Sequence, residues 1–390
     1  MSFALLALVC AVALLGPLGS LPRNVGVPVV IGELAVGIAL GATGLRVLDA
    51  TDPTFTFLGG DLGFALVMML TGARVPLRSA GLRSGLRVGA LRAALVGVAA
   101  VPAGLGLAAL FGTGNGALYA VVLASSSAAL ILPSLGDAPL TGRPMLAMLA
   151  QVAVADAACI IALPLAVDPS AAGGRVLGVL AVVGAAALVY VVASWGERTG
   201  RRRTVHDLSE ERGLAIELRV SLTVLFTLAA LSQVTGVSVM LAGFATGLIL
   251  AGIGEPRRLS RQLFALTEGF FSPLFFVWLG ASLDLRAVGA DPRLLALGLA
   301  LGAAAVVVHA AVALTGQPLP LAATTGAQLG VPVAAATLGH AEGVLAPGED
   351  AALLIGALVT IAVTTALSGR VARLARRSAE GDGAGDAKGK

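Results

Sequence analysis

The chain has 390 residues, of which 57% are hydrophobic and 12% charged, with a mean hydropathy of +0.94. A soluble domain is about 25% charged, so this composition excludes a water-soluble globule and leaves an all-α polytopic membrane protein with apolar runs of spanning length. The formal charge of +4 and pI near 9.7 do not mark a nucleic-acid partner, because the basic residues are arginine clusters in short loops, with the only lysines at 388 and 390; that distribution is a membrane topology signal.

Taken in chain order, the hydropathy predicts thirteen spans: 3–20, 27–43, 57–73, 88–111, 117–136, 145–167, 174–195, 216–233, 236–253, 264–283, 294–315, 319–341 and 351–370. The first, MSFALLALVCAVALL, lacks a basic n-region and reads as a retained span rather than a cleaved signal. With the N-terminus outside, only Arg46, Arg175, Arg286 and Arg293 fall outside; assigning the membrane-edge residues Arg92 and Arg219 to the inner side leaves 22 of the 26 basic residues on the cytoplasmic side. That bias supports an odd number of spans and a cytoplasmic C-terminus.

Residues 1–375 are expected to form the transmembrane domain, and 376–390, ending SAEGDGAGDAKGK, a disordered cytoplasmic tail. The charged loop around 196–215 separates six spans from six others, with the seventh as a linker. An odd number of intervening helices inverts the second six, as in inverted-repeat transporters. No residue-level repeat is apparent, so the symmetry is an architectural expectation. Glycine, at 51 residues, is abundant as expected where helices approach closely in lipid. Cys10 and Cys159 lie in apolar segments and read as small core residues. Three histidines without clustering argue against a transition-metal centre.

Asp156 is twelfth in a stretch of 23 residues, Met145 to Val167, that holds no other charge. A carboxylate at mid-membrane costs roughly 2.5–3.5 kcal/mol on insertion scales and is usually retained for an ion or proton. Withdrawn from water, such a group holds a proton until a small hard cation, served also by hydroxyl and carbonyl oxygens, displaces it. One site that takes either ion exchanges them.

Two spans look weak as helices. The fifth, ALYAVVLASSSAALILPSL, places Ser125, Ser126 and Ser127 in mid-membrane ahead of Pro133; serines compete for backbone hydrogen bonds and proline removes a donor. The twelfth, LAATTGAQLGVPVAAATLGHAE, contains Thr324, Thr325, Gln328, Gly330 and Pro332. Broken helices at corresponding positions of two halves point to a midplane site, here beside Asp156. His309, in the eleventh span, is a candidate proton carrier, counter-charge or packing residue. Glu33, in VIGELAVGIALG, is a candidate second titrating group or a helix-joining residue. Tyr190 and Trp195 fit an aromatic belt.

At this point a resemblance can be stated. VPVVIGELAVGIALGATGL (27–45), LGFALVMMLTGARVPLR (62–78), SSSAALILPSL (125–135), GVSVMLAGFATGLILAG (236–252) and SPLFFVWLGASLDL (272–285) resemble, in order, segments of the monovalent cation:proton antiporter family. The closest branch holds bacterial sodium/proton exchangers and potassium-efflux transporters. The resemblance implies a sodium/proton-exchanger-like fold with two discontinuous crossing helices. The first three and eighth to tenth spans would form a dimerisation domain, and the fourth to sixth and eleventh to thirteenth a mobile ion-binding core. It also implies a homodimer, a bacterial inner membrane location, elevator-like transport without ATP or organic cofactor, and Asp156 as the ion-binding carboxylate. Departures are Ala155 where electrogenic members carry a second acid, His309 in the place of an embedded lysine, and Leu329, Gly330 and Val331 where the potassium-efflux branch has Arg-Gly-Glu.

The expectation is a secondary antiporter exchanging Na+ or K+ for H+, with Asp156 as the shared carboxylate and the serines completing the site. A single acid favours one-for-one exchange. The alternatives are a sodium-coupled symporter of an organic solute and a gated cation channel.

Overall fold

The computed structural model describes residues 7–387 apart from 9, 12–13, 15–28, 76, 78–79, 129, 132–141, 168–171, 200–208, 210–211, 213, 255–256 and 284. The described residues are helical, with no strand. In chain order the helices are α1 (Val29–Leu40), α2 (Pro53–Ala73), α3 (Ala80–Phe111), α4 (Gly116–Ala124), α5 (Arg143–Val167), α6 (Ala172–Arg198), α7 (Ile216–Val234) and α8 (Val239–Ile253). They continue with α9 (257–282), α10 (Leu285–Ala290), α11 (Pro292–Ala310), α12 (Leu319–Thr324), α13 (Gly330–Ala341) and α14 (Glu349–Ala387). Side-chain caps fix several starts: Asp52 accepts from the amides of Thr54 and Phe55, Ser238 from Met240, and Asp291 from Arg293, meeting donors that have no partner inside the helix.

Eight described helices are long and apolar enough to cross a membrane. They correspond to the third, fourth, sixth, seventh, eighth, tenth, eleventh and thirteenth expected spans. The second and ninth are the shorter apolar helices α1 and α8. The fifth and twelfth do not reach spanning length because they break, and the first lies almost wholly outside the described residues. The eighth and ninth are separate helices, parted by a turn at Thr235–Gly236. On α3, Leu91, Leu95, Val98 and Leu105 form an exposed apolar face, as do Leu177, Leu180, Leu188 and Val191 on α6; large exposed apolar faces on spanning helices suit contact with lipid. Tyr190 and Trp195 are exposed at the end of α6. The chain is an integral membrane protein.

The helix α14 runs on through most of 376–390, the segment expected to be a disordered tail. Arg376, Arg377 and Ala379 favour this continuation; the glycines at 381, 383 and 385 supply no local reason for it.

The chain divides into two compact units, residues 1–78 with 170–283 and residues 79–169 with 284–390. Each takes one piece from either half of the sequence, and the partition coincides with that expected for the two domains, the linker helix α6 falling in the first unit.

Within the first unit the main pairings are α1 with α9 and α2 with α8. If α1 corresponds to α8 and α2 to α9, these two pairings are the same pairing, repeated. Side chains agree. Aligning Gly37 with Gly247 also matches Ala35 with Ala245, Leu40 with Leu250 and Gly44 with Gly254; aligning Gly72 with Gly280 matches Ala73 with Ala281, Leu77 with Leu285 and Arg78 with Arg286. A Cβ on Gly37 would run into the carbonyl of Val277 and the Cα of Gly280, and one on Gly72 into the carbonyl of Phe244 and the Cα of Gly247. Backbones so close leave no room for side chains, as at small-residue crossings in membranes. Both α2 and α9 also contain a π-helical stretch, Thr56–Gly63 and Thr267–Phe271, ending at aligned positions. A residue-level repeat therefore exists where the sequence alone showed none. Its structural basis is seen at the crossing glycines Gly37, Gly72, Gly247 and Gly280, where packing leaves no room for a side chain.

The second unit repeats its pairings too: α3 packs on α5 and α4, and α11 on α14 and α12. A Gly-x-x-x-Gly pair mediates each long contact. Gly85 and Gly89 meet the backbone of α5 around Leu146 and Gln151, while Gly298 and Gly302 meet that of α14 around Ala352 and Gly356. The α5 helix, which carries Asp156, is thus held by direct backbone contact.

Candidate ion-binding site

Both weak spans break, and each break has a local cause. The helix α4 stops at Ala124 because Ser125 turns extended (φ −73°, ψ 157°) and returns both its amide and its hydroxyl to the Val122 carbonyl, at 3.0 and 2.8 Å. Ser125, Ser126 and Ser127 are non-helical and buried; Pro133 lies outside the described residues. In the other half, α12 stops at Thr324. The hydroxyls of Thr324 and Thr325 donate back to the Pro320 and Ala322 carbonyls, both at 2.7 Å, before α13 resumes at Gly330. Pro332 sits in the first turn of α13, where a missing N–H costs nothing; it starts the second half-helix rather than causing the break.

The two breaks join. The Ser126 hydroxyl donates to the Thr325 carbonyl. From the other side, the Gln328 amide nitrogen donates to the Leu123 and Ser125 carbonyls, 3.3 Å each. Backbone groups freed by unwinding are thereby paired by the opposite strand of the crossing, as burial away from water requires.

Thr325 is the hub of this crossing. Besides its carbonyl contact, its hydroxyl oxygen lies 3.2 Å from Gln151 Nε2 and 2.9 Å from His309 Nδ1. With the Thr325 hydroxyl hydrogen given to the Ala322 carbonyl, this contact requires the His309 tautomer whose Nδ1–H donates. The Leu123 and Ser125 carbonyls lie close to the ring without completing a hydrogen bond to the buried Nε2. His309 therefore touches the broken segments and forms no ion pair with Asp156.

Asp156 is 5% exposed, midway along α5. It makes no hydrogen bond or ion pair with any described residue. Five residues earlier, about 7 Å along the axis, Gln151 turns its amide nitrogen to Thr325 while its Oε1 is buried without a partner. Of the serines, Ser125 and Ser126 have committed their hydroxyls to carbonyls; Ser127 has not. The arrangement leaves three uncommitted oxygen donors on α5 and the serine break: the Asp156 carboxylate, the Gln151 carbonyl oxygen and the Ser127 hydroxyl. Hard oxygens of this kind suit alkali-type cations.

The structure brings Ser126, Thr325, Gln328 and His309 together at the two breaks, and keeps Glu33 in the other unit, on α1. Two residues went unnoticed at the sequence level. Gln151 is an uncharged amide in an otherwise apolar stretch, a recognisable signal for helix-to-helix bonding. Thr360, whose hydroxyl accepts from the Gln328 backbone amide at 3.1 Å, carries no such signal on the expected last span.

A family profile described as "Sodium/hydrogen exchanger, transmembrane" matches residues 10–372. The chain belongs to this family. It is 26% identical over 308 residues to YjbQ of Bacillus subtilis (strain 168), a protein with a provisional designation as an Na(+)/H(+) antiporter; the match covers 75% of this chain and 50% of that protein. It is 27% identical over 270 residues to the chloroplastic K(+) efflux antiporter 1 of Arabidopsis thaliana, covering 65% and 22% respectively. The chain therefore spans about half the length of the first relative and far less of the second. Among solved structures it matches the sodium proton antiporter MjNhaP1 of Methanocaldococcus jannaschii, determined at pH 8, with a TM-score of 0.64 at 17% identity over 95% of this chain and 97% of that one. That likeness establishes the fold. The family consists of transporters, not enzymes.

Proposed function

We propose that the chain is a secondary antiporter that exchanges a monovalent cation, Na+ or K+, for H+ at Asp156 by alternating access. The observation that carries this reading is a buried mid-helix carboxylate without a partner among the described residues, on a helix hydrogen-bonded through Gln151 to the crossing of two broken helices. An unpaired buried charge is costly, so the group binds either a proton or a cation in each state. Membership of the family and the two named relatives support the same chemistry.

In this reading the cation is bound by the Asp156 carboxylate, with the Gln151 Oε1 and Ser127 hydroxyl as further oxygens. The Ser126–Thr325 and Gln328 contacts hold the two breaks in register while the site changes access. Exchange is one for one and moves no net charge, since the site has a single acid and His309 is bonded to Thr325. The first unit forms a homodimer, and the protein lies in a bacterial inner membrane with its C-terminus cytoplasmic, contributing to pH homeostasis.

The test is proton movement reported by a pH dye in inside-out vesicles challenged with Na+, K+, Li+ or Rb+, comparing wild type with Asp156→Asn at equal expression. Cation-driven proton movement is expected in the wild type and its loss in the variant. Persistence of exchange in Asp156→Asn would overturn the reading. Transport driven by membrane potential alone would rule out the one-for-one cycle.

A further inference from the structure

A second charged group in the second unit is unaccounted for by ion exchange. Arg92 lies within the span 85–111 of α3 and is 8% exposed. Its Nε donates to the Thr315 hydroxyl at 3.0 Å and one terminal nitrogen reaches the Thr315 carbonyl at 3.5 Å. No carboxylate pairs with it among the described residues. Buried guanidinium groups ordinarily have an anionic partner. The end of the short 3-10 helix Ala311–Thr315 offers only the partial negative charge of a helix C-terminus.

Beside Arg92 opens a cavity of about 260 Å3, lined by Gly85, Val88, Arg92, Arg143, Pro144 and Gly316 among others. Arg143 is exposed and has no partner among the described residues. It is also the first residue of α5, so the cavity adjoins the positive end of that helix; Pro144 has no N–H to offer, which leaves the two arginines as the donors. Two arginines and the first turn of α5 line this cavity, with no acid among the lining residues. Arginine forks match the oxygens of phosphate, and the volume admits a phosphate group with several waters. By the distribution of basic residues this is the cytoplasmic end of the helices, where acidic lipids present phosphates.

We propose that this cavity binds a phosphate oxyanion, from an acidic lipid headgroup or from free phosphate, between Arg92 and Arg143 at the N-terminus of the helix that carries Asp156.

The test uses the full chain. Native mass spectrometry of the detergent-solubilised protein titrated with phosphatidylglycerol reads lipid affinity, and thermal melting with added inorganic phosphate reads the free anion. Arg143→Ala removes an exposed, unpaired side chain and leaves the fold intact; loss of one charged hydrogen-bonding partner is expected to weaken binding by about tenfold or more. Arg92→Gln, checked for folding by size-exclusion profile, should do the same. A loss seen only with phosphatidylglycerol assigns the site to a lipid headgroup, and a loss of phosphate-dependent stabilisation assigns it to the free anion. Asp156→Asn should bind like wild type, so the site stands or falls separately from ion exchange. Equal binding of both probes by wild type and Arg143→Ala would overturn the proposal and leave Arg92 as a helix cap.

Discussion

The Ser126 hydroxyl donates a hydrogen bond to the Thr325 carbonyl, joining positions 199 residues apart at the point where both their helices unwind. Ser125, next to it, spends its hydroxyl on its own helix end at Val122. The two serines are chemically identical neighbours with different tasks: one closes a helix, the other ties two halves of the chain together.

Replacing Ser126 with Ala leaves the buried Thr325 carbonyl without its partner, at an expected cost of about 1–3 kcal/mol. Ser125→Ala should cost less, because the Val122 carbonyl keeps the Ser125 amide at 3.0 Å. Melting temperatures of the two purified variants check the order; equal shifts would contradict the cross-chain role of Ser126.

Thr325→Val keeps the shape of the side chain but removes the oxygen that Gln151 and His309 share. A double-mutant cycle with Gln151→Leu should give an interaction energy of about 0.5–3 kcal/mol, read from denaturation midpoints. Simple additivity would mean that the Gln151–Thr325 contact contributes nothing.

If proton and cation compete for Asp156, binding of one releases the other, and the apparent KM for the cation should rise about tenfold per unit fall in pH on the acid limb while the maximal rate stays constant. Initial rates in proteoliposomes over a range of pH measure this. A KM indifferent to pH, with a falling maximal rate, would point to a separate proton site.

At the glycine crossings, size rather than polarity decides. Gly72→Leu forces a side chain into the backbone of α8 at Phe244 and Gly247, and should destabilise by about 1–3 kcal/mol or more. Gly97→Ala, on α3 where nothing lies within 4 Å of the added carbon, should be neutral or gain up to about 1 kcal/mol from helix propensity. Thermal stability of the two variants in the same detergent tests the contrast.

Much of this was legible without coordinates. Hydropathy located the eight described helices long enough to span and the two shorter apolar ones, α1 and α8, because a segment in lipid must be apolar and satisfy its own backbone whatever its neighbours are. The serine run and the threonine pair marked the two breaks for the same local reason. Asp156 stood out because a charge at that depth has few explanations.

What the sequence could not reveal were pairings between distant residues. Nothing local distinguishes Ser126 from Ser125, or marks Thr325 rather than Thr324 as the one that meets Gln151 and His309. The repeat within the first unit shows only once Gly37 is seen against Gly280 and Gly72 against Gly247, since the constraint acts across helices and leaves all other positions free to diverge. Sequence alone determined that the chain is a bundle of spanning helices with an acid midway along one otherwise uncharged stretch, Met145 to Val167, because lipid acts on each residue separately. Tertiary structure alone decided which oxygens remain uncommitted on that acid's helix and at the serine break, because a hydrogen bond belongs to two residues and its partner is chosen by the packing of the whole unit.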